Sequence, residues 1–229
     1  MDEPRPQVFP TYVVIDESQS MLGTEEQLQA VLTALLDAPQ DDPDWAAVAH
    51  VGVVGFSDAA YVRQPLTDWA ELAEVPELQL GGMTSYRAAF ELLRDVIEDD
   101  VEALKASNYR VLRPAVFFFS AGKPDHQDWE SAHKALVSPD FPYHPNVLAF
   151  GVGDPDARVI ARVATRERYA FMADEGASVG AIFLNVIHTL WPSGGVTSGP
   201  GPGVVASGGA VFLQLAESEG FITIGIDDL

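Results

Sequence analysis

One short stretch near the amino terminus, Thr11 to Met21, places the strongest constraint on how this chain folds. It reads T-Y-V-V-I-D-E-S-Q-S-M: an apolar, β-branched run stops at Asp16, and hydroxyl side chains follow at alternate positions, Ser18 and Ser20. A buried strand that delivers oxygen atoms to its carboxyl end has this pattern. Closely spaced oxygen donors suit a hard divalent cation such as Mg²⁺. The same residues also fit a serine-rich turn that caps the next helix, and both interpretations stay open at this point.

Strand-like and helix-like segments alternate along the rest of the chain. Apolar runs predict strands at 50–56, 114–119, 146–150 and 169–172, and a short turn at Ser57-Asp58 predicts an antiparallel edge strand at 60–64. Apolar residues at helical spacing predict helices that begin near residues 24, 86, 129, 155 and 179. The alternation predicts an α/β fold: a doubly wound, mostly parallel sheet with helices on both faces and one antiparallel edge strand. In such sheets, ligands bind at the carboxyl ends of the strands, where the strand order reverses.

The composition changes towards the carboxyl terminus. Residues 192–209 are rich in glycine and proline without a repeat, which predicts a connector after a domain spanning residues 8–191. Beyond it, 210–215 and 221–226 resemble two strands of a small hairpin within residues 210–229. Because an isolated hairpin is only marginally stable in water, we expect this one to dock on the domain or on a neighbouring chain, which would allow a homo-oligomer.

The overall charge limits the classes of partner. Lys and Arg number 13 against 34 Asp and Glu, which gives a net charge of −21. Such a charge repels phosphate backbones and anionic lipids, so we expect neither a nucleic acid nor a membrane surface as a partner. The chain has no cysteine, which excludes thiolate metal sites and thiol catalysis. The amino end lacks the features of a secretory signal, and no apolar run approaches the ~20 residues that cross a bilayer, so we expect a cytoplasmic protein.

Four motifs together carry a family resemblance. They are D-E-S-Q-S-M at 16–21, V-G-V-V-G-F-S-D at 51–58, G-G-M-T at 81–84 and F-F-F-S-A-G-K-P at 117–124. The chain resembles the von Willebrand factor type A domains over residues 8–191, and among them the small bacterial intracellular members associated with tellurite-resistance and stress-response clusters. This resemblance implies a non-enzymatic protein–protein interaction module.

The resemblance also implies a metal-ion-dependent adhesion site. By analogy with the family, Ser18 and Ser20 would bind Mg²⁺ or Mn²⁺ directly, while Asp16 and Thr84 would bind it directly or through water. One position of the ion stays open, and in the family a carboxylate of a partner protein completes it. A cation held by few protein charges stays electrophilic and prefers an incoming carboxylate to water.

The third loop departs from the family pattern. The family has an aspartate where this chain has Ala121, between Ser120 and Gly122. The loss of one carboxylate predicts a weakened cation site. Asp125 could supply the missing charge, although helping Asp128 to cap the following helix is an alternative role for it. Gln19 and Met83 replace family glycines without removing a ligand.

Other functions fit the sequence less well. A divalent-ion phosphoesterase or hydrolase could use Asp16 as a nucleophile, but haloacid-dehalogenase chemistry needs a second aspartate where Ser18 stands, and no G-x-S-x-G elbow is present. We therefore do not expect an enzyme. His126 with Asp125 and Asp128 could form an accessory cation site. A metal-free assembly protein that acts through its carboxyl-terminal hairpin by strand addition is a further alternative.

Overall fold

Strands and helices alternate in the structure as the sequence predicts. The computed structural model describes residues 5–41, 46–126, 128–173, 179–180, 183, 186, 205–207, 210–212 and 221–223. The strands are β1 (Gln7–Asp16), β2 (Ala49–Phe56), β3 (Ala60–Asp68), β4 (Arg110–Val111), β5 (Ala115–Ser120), β6 (Asn146–Gly151), β7 (Ala170–Ala173), β8 (Val205–Ser207), β9 (Ala210–Phe212) and β10 (Phe221–Thr223). The helices are α1 (Glu25–Asp41), α2 (Tyr86–Ala106), α3 (Trp129–Val137) and α4 (Ala157–Val163). Val179, Gly180, Phe183 and Val186 are also helical, in agreement with the last predicted helix.

The main sheet is mostly parallel, which confirms the predicted fold class. Its strand order is β10-β7-β6-β5-β1-β2-β3, and β4 pairs with the beginning of β1. Strands β2 and β5 both pair in parallel with β1, and β6 and β7 continue the parallel order. Strand β3 pairs antiparallel with β2 at one edge, as predicted. Strand β10 adds a second antiparallel pairing at the other edge.

Both faces of the sheet are covered, because alternate residues of β1 belong to two separate cores. Val13 and Ile15 lie in the core that includes Leu28 and Val31 of α1. Tyr12 and Val14 lie in the other, with apolar residues of α2, α3 and α4. Successive side chains of a strand point to opposite faces, so a run that is apolar at every position marks a central strand. The sequences of β1 and β5 are apolar at nearly every position because both faces of these strands are buried.

The strand order reverses between β1 and β5. From β1 the chain continues sideways to β2 and β3, and after α2 it returns to build β5, β6 and β7 on the other side. The last residues of β1 and β5, Asp16 and Ser120, therefore end next to each other. This reversal forms the crevice in which α/β sheets bind ligands.

Helix α2 begins beside this crevice and is the longest helix that the structure describes. Its cap is Ser85, whose hydroxyl accepts a hydrogen bond from the Ala88 backbone N–H at 3.3 Å. This agrees with the predicted start of a helix near residue 86. Capping fixes where the helix starts and so holds the preceding loop in place. Within the described part of the chain, no helix combines the length and the hydropathy needed to traverse a bilayer.

The carboxyl-terminal strands pair differently from the sequence prediction. We expected 210–215 and 221–226 to pair with each other. Instead, β9 pairs with β8 and β10 pairs with β7, so that prediction is wrong for the described residues. Two causes explain the difference: β8 and β9 are separated by only two residues in the sequence, and β7 lies at the edge of the parallel strands, where β10 can pair with it. The predicted connector at 192–209 lies outside the described residues except for β8.

The half-buried imidazole of His133 on α3 is expected to make stability fall in mild acid. Its Nε2 donates to the Val163 carbonyl at 2.8 Å, and its ring packs against Phe90 with centroids 5.0 Å apart. Burial and, secondarily, the charge of Arg162 lower the pKa of His133. The folded state therefore binds fewer protons than the unfolded state, and stability falls as the pH drops below the unfolded pKa of ~6.5 towards the folded pKa.

We therefore expect His133→Gln to flatten the stability profile between about pH 7 and pH 5, measured by urea unfolding at each pH. His126→Gln, at an exposed position, is the matched control and should leave the slope unchanged. An unaltered slope in His133→Gln would show that other groups cause the acid sensitivity.

Candidate functional site

The site is centred on the carboxylate of Asp16, which is fully buried at the end of β1. Its Oδ1 accepts a hydrogen bond from the Ser18 backbone N–H at 2.9 Å, and its Oδ2 accepts one from the Ser120 hydroxyl at 2.5 Å. The Ser120 hydroxyl in turn accepts from the Tyr86 hydroxyl at 2.7 Å. A chain of hydrogen bonds thus runs from α2 through the end of β5 to Asp16.

The electrostatics of Asp16 are those of a buried anion without a cationic neighbour. Burial raises the pKa of Asp16, the hydrogen bonds from Ser120 and Ser18 oppose that rise, and the charge of Asp125 adds to it. None of the ion pairs among the described residues involves Asp16. A buried carboxylate in such surroundings is stabilised by a bound cation.

The two serines of the first loop lie side by side. Their hydroxyl oxygens are 2.8 Å apart, with Ser18 buried and Ser20 exposed. A short 3₁₀ turn at Gln19–Met21, for which Ser18 is the amino-terminal cap residue, brings the second hydroxyl back beside the first. Two hydroxyls at this separation can share one ion as neutral ligands.

The second loop contacts the first through its backbone. The Gly81 N–H donates to the Glu17 carbonyl at 2.7 Å, and the Gln19 N–H donates to the Gly82 carbonyl at 3.0 Å. Gly82 has φ +81°, a left-handed conformation that glycine adopts without strain. The glycine pair therefore lets the second loop lie directly against the D-E-S-Q-S turn.

The third loop reaches the second through Asp125. The Asp125 carboxylate accepts a hydrogen bond from the Thr84 N–H, and the Asp125 N–H donates to the Thr84 carbonyl at 3.1 Å. Thr84 is 4% exposed, and within the described chain its hydroxyl has no hydrogen-bond partner. The structure thus brings Asp16, Ser18, Ser20, Thr84 and Asp125 into one connected set of loops.

The alternative capping role of Asp125 is wrong. Asp128 occupies the cap position of α3 without a capping hydrogen bond from its side chain, and its carboxylate pairs with Arg87 at 3.2 Å. Asp125 contacts the second loop instead, because the turn after β5 directs it back across the crevice.

Ala121, in the third loop, has the properties of a core residue. Ala121 is 2% exposed, belongs to one of the two apolar cores, and its carbonyl accepts a hydrogen bond from the Asp156 N–H at 2.9 Å. It contributes no charge to the site.

An open cavity of about 150 Å³ adjoins Thr84 and Asp125. Asp58, Met83 and His126 also line it, and Met83 is 50% exposed. Among the described residues, no three carboxylate or imidazole side chains come together closely enough to hold a metal ion, so the accessory site of His126 with two aspartates is not formed. Carboxylate and imidazole groups of the described residues would therefore not be enough to hold a cation at this edge, and hydroxyl groups such as those of the two serines and Thr84 would have to complete the ligand set.

Sequence reasoning missed two supporting residues, Ser120 and Tyr86. Ser120 hydrogen-bonds Asp16 across adjacent strand ends, and Tyr86 is buried at the first position of α2. The sequence held a signal for Ser120, because the last residues of two adjacent parallel strands lie side by side and Ser120 ends the strand next to β1.

A family model for the von Willebrand factor type A domain matches residues 11–123. Comparison with curated protein sequences gives no significant match.

Solved structures share the fold at low sequence identity. Proximal thread matrix protein 1 from the mussel byssus, in a form with a zinc-occupied MIDAS motif, superimposes with a TM-score of 0.62 at 16% identity, covering 81% of this chain and 48% of that chain. The pilus adhesin SpaC from Lactobacillus rhamnosus GG has a TM-score of 0.62 at 12% identity, covering 81% of this chain and 30% of that chain. The chain thus spans about half, or less, of the length of these proteins. The family model thus assigns residues 11–123 of this chain to the von Willebrand factor type A domain family, and the solved structures show the shared fold.

Proposed function

We propose that this protein is a non-enzymatic protein-binding module whose recognition face surrounds a weakened divalent-cation site. Asp16, Ser18, Ser20 and Thr84 would hold the ion, and Asp125 would supply part of the charge that Ala121 does not. When bound, the ion supplies an electrophilic position for a carboxylate of a partner protein. The observation that carries the proposal is the hydrogen-bonded convergence of three loops on these side chains.

The donor set supports a hard cation such as Mg²⁺ or Mn²⁺. All candidate ligand atoms are carboxylate or hydroxyl oxygens, which such ions prefer. Asp16 is a buried carboxylate for which the described chain offers no cationic partner. The Thr84 hydroxyl has no hydrogen-bond partner in the described chain, so it is free to bind a ligand. The zinc-occupied MIDAS motif of the mussel protein of the same fold is consistent with a divalent ion at this position.

Apolar side chains beside the loops support a protein as the partner. Leu22, shortly after the serines, is 57% exposed, and Met83, next to Thr84, is 50% exposed. Exposed apolar residues around a polar centre are typical of protein interfaces. The solved structure of the pilus adhesin, which has the same fold, belongs to a protein that is named for adhesion, and this is consistent with a binding role.

Two features support a binding role over catalysis. Asp16 is fully buried, and both of its carboxylate oxygens accept hydrogen bonds, so it is poorly placed to attack a phosphoester. Among the described residues, the hydrogen bonds to its carboxylate come from Ser18 and Ser120, and neither an imidazole nor a carboxylic acid is hydrogen-bonded to it as a positioned general acid. From the resemblance of its motifs we further propose that the protein acts in the bacterial cytoplasm, in a stress or metal-resistance system.

The proposal predicts that restoring the missing carboxylate strengthens the site. Ala121→Asp is expected to bind Mn²⁺ about tenfold more tightly than the wild type by isothermal titration, because a second carboxylate attracts the ion at short range. The cation-free variant should be less stable, since it buries another charge.

Ala121→Asn has the same size without the charge and is the matched control. It should not tighten binding. Equal affinities in Ala121→Asp and the wild type would mean that residue 121 does not face the ion. Absence of Mn²⁺ binding in both proteins would contradict the proposed cation site.

A further inference from the structure

A partly buried ion pair joins the loop of Ser18 and Ser20 to the edge strand β3. The carboxylate of Glu17, 1% exposed, contacts Arg63 of the edge strand β3 with Oε2 and Nη2 2.5 Å apart. We propose that the Glu17–Arg63 pair, seated against Gly55, is a positioning device that holds the loop of Ser18 and Ser20 in the geometry that binds the cation. This inference rests on the proposed cation site and adds to it two residues that are not ligands.

Glu17 is a junction between three segments. Its backbone N–H donates to the Phe56 carbonyl at the end of β2, and its carbonyl accepts from the Gly81 N–H of the second loop, both at 2.7 Å. Its side chain adds the third connection, to β3. Because Glu17 lies between Asp16 and Ser18, a rotation of its backbone would move the ligand residues on both sides.

Arg63 reaches Glu17 because β3 is irregular at this point. Val54 pairs with Val62 and Val53 with Gln64, which leaves Arg63 as an extra residue in the β3 strand. Such a bulge redirects a side chain relative to the regular alternation of a strand, and bulges are frequent beside functional sites. The Arg63 guanidinium also lies 5.5 Å from the centre of the Tyr61 ring, which supports its orientation.

Gly55 provides the space for the pair. A Cβ at this position would lie 2.5 Å from Glu17 Oε1 and 2.9 Å from Arg63 Nε. Those two atoms are themselves buried and have no hydrogen-bond partner among the described residues. Both atoms face the same small space. The pair therefore has one of the two hydrogen bonds of a bidentate arginine–carboxylate contact, the geometry in which arginine binds a carboxylate most specifically. Any larger residue at 55 would separate them.

The pair is better suited to specifying geometry than to adding stability. Removing the Glu17 carboxylate and most of the Arg63 side chain from water costs free energy that their attraction only partly offsets, so such an ion pair is weak evidence for stability. Residues that orient metal ligands without touching the ion, in contrast, commonly change metal affinity by about 10–100-fold when they are replaced. A role in orienting the serines explains why the chain keeps a carboxylate at position 17.

The test uses the full chain, with Mn²⁺ as the probe. Glu17→Gln and Arg63→Met should each weaken Mn²⁺ binding by about tenfold, and the double variant should be no weaker than either single variant, because one unit has been removed in each case. Glu130→Gln breaks an exposed ion pair with Arg162 and is the control for charge; it should leave the affinity unchanged. Leu136→Ala, in the core, is the control for stability and should lower the unfolding midpoint without altering the affinity.

Amide hydrogen exchange without metal gives a second, independent readout. In Glu17→Gln, the amides of Gln19 and Gly81, which hold the two loops together, should exchange about tenfold faster, while α3 stays protected. If the wild type binds no Mn²⁺, the proposed cation site fails, and exchange alone still decides whether the pair orders the loops. Unchanged exchange at both amides, or additive losses of affinity in the double variant, would overturn the positioning role.

Discussion

Asp16→Asn is expected to abolish divalent-cation binding and, at the same time, to stabilise the cation-free protein. The loss should exceed about 100-fold in Mn²⁺ affinity, since even residues outside the ligand shell commonly account for 10–100-fold. The gain should be about 1 kcal/mol in the free energy of unfolding, because asparagine removes a buried charge that has no ion-pair partner in the described chain. The amide oxygen can still accept from the Ser18 N–H. The amide N–H, in contrast, would face the Ser120 hydroxyl, which now donates to Asp16 and already accepts from Tyr86 and the Gly122 N–H, so the gain is reduced by the loss of that one contact.

This prediction is specific because the same substitution is expected to weaken Mn²⁺ binding and to raise the stability of the cation-free protein. Titration calorimetry measures the affinity, and urea unfolding with and without Mn²⁺ measures both the stability and its dependence on the ion. Asp140→Asn, at an exposed position beyond α3, removes the same charge and should change neither quantity. An asparagine variant that still binds Mn²⁺ tightly would remove Asp16 from the site. A variant less stable than the wild type would mean that the hydrogen bonds to the carboxylate outweigh its desolvation.

Features set by local pattern could be predicted from the sequence. The apolar run that ends at Asp16 predicted the end of β1, and the run at 114–119 predicted the strand that the structure places in the centre of the sheet. Both strands are buried on both faces, and such strands are apolar at nearly every position. The short turn at Ser57-Asp58 predicted the antiparallel edge, since only antiparallel neighbours can be joined so closely. From these elements, the convergence of the three loops followed.

Features that depend on tertiary packing could not be predicted. Glu17 and Arg63 are 46 residues apart in sequence and meet only because β3 carries a bulge and position 55 is glycine. The contact of Asp125 with Thr84 instead of with α3 depends on how the third loop crosses the crevice. The pairing of β10 with β7 depends on which sheet edge lies within reach. No local periodicity encodes any of these distances.

Tyr86 connects the core to the site and gives the largest expected effect on stability. Its ring lies 5.0 Å from that of Phe118 and 5.6 Å from that of Trp129, centre to centre, and the residue is 1% exposed. Tyr86→Ala is expected to lower the free energy of unfolding by about 3–5 kcal/mol, the cost of a large cavity in an aromatic core. Urea unfolding followed by tryptophan fluorescence measures it. Tyr61→Ala, at a position 54% exposed, should change stability by no more than about 0.5 kcal/mol.

Tyr86→Phe separates packing from hydrogen bonding. Phenylalanine keeps the ring contacts and removes only the hydroxyl that donates to Ser120, so the cost should be about 1 kcal/mol. Burial raises the pKa of Tyr86, which therefore stays a neutral donor throughout the ordinary pH range. Without this donor, the Ser120 hydroxyl is held less firmly towards Asp16, so Tyr86→Phe should also weaken Mn²⁺ binding, by about tenfold. A Phe variant that is as unstable as the Ala variant, or that binds Mn²⁺ like the wild type, would show that the hydrogen-bond chain from α2 does not support the site.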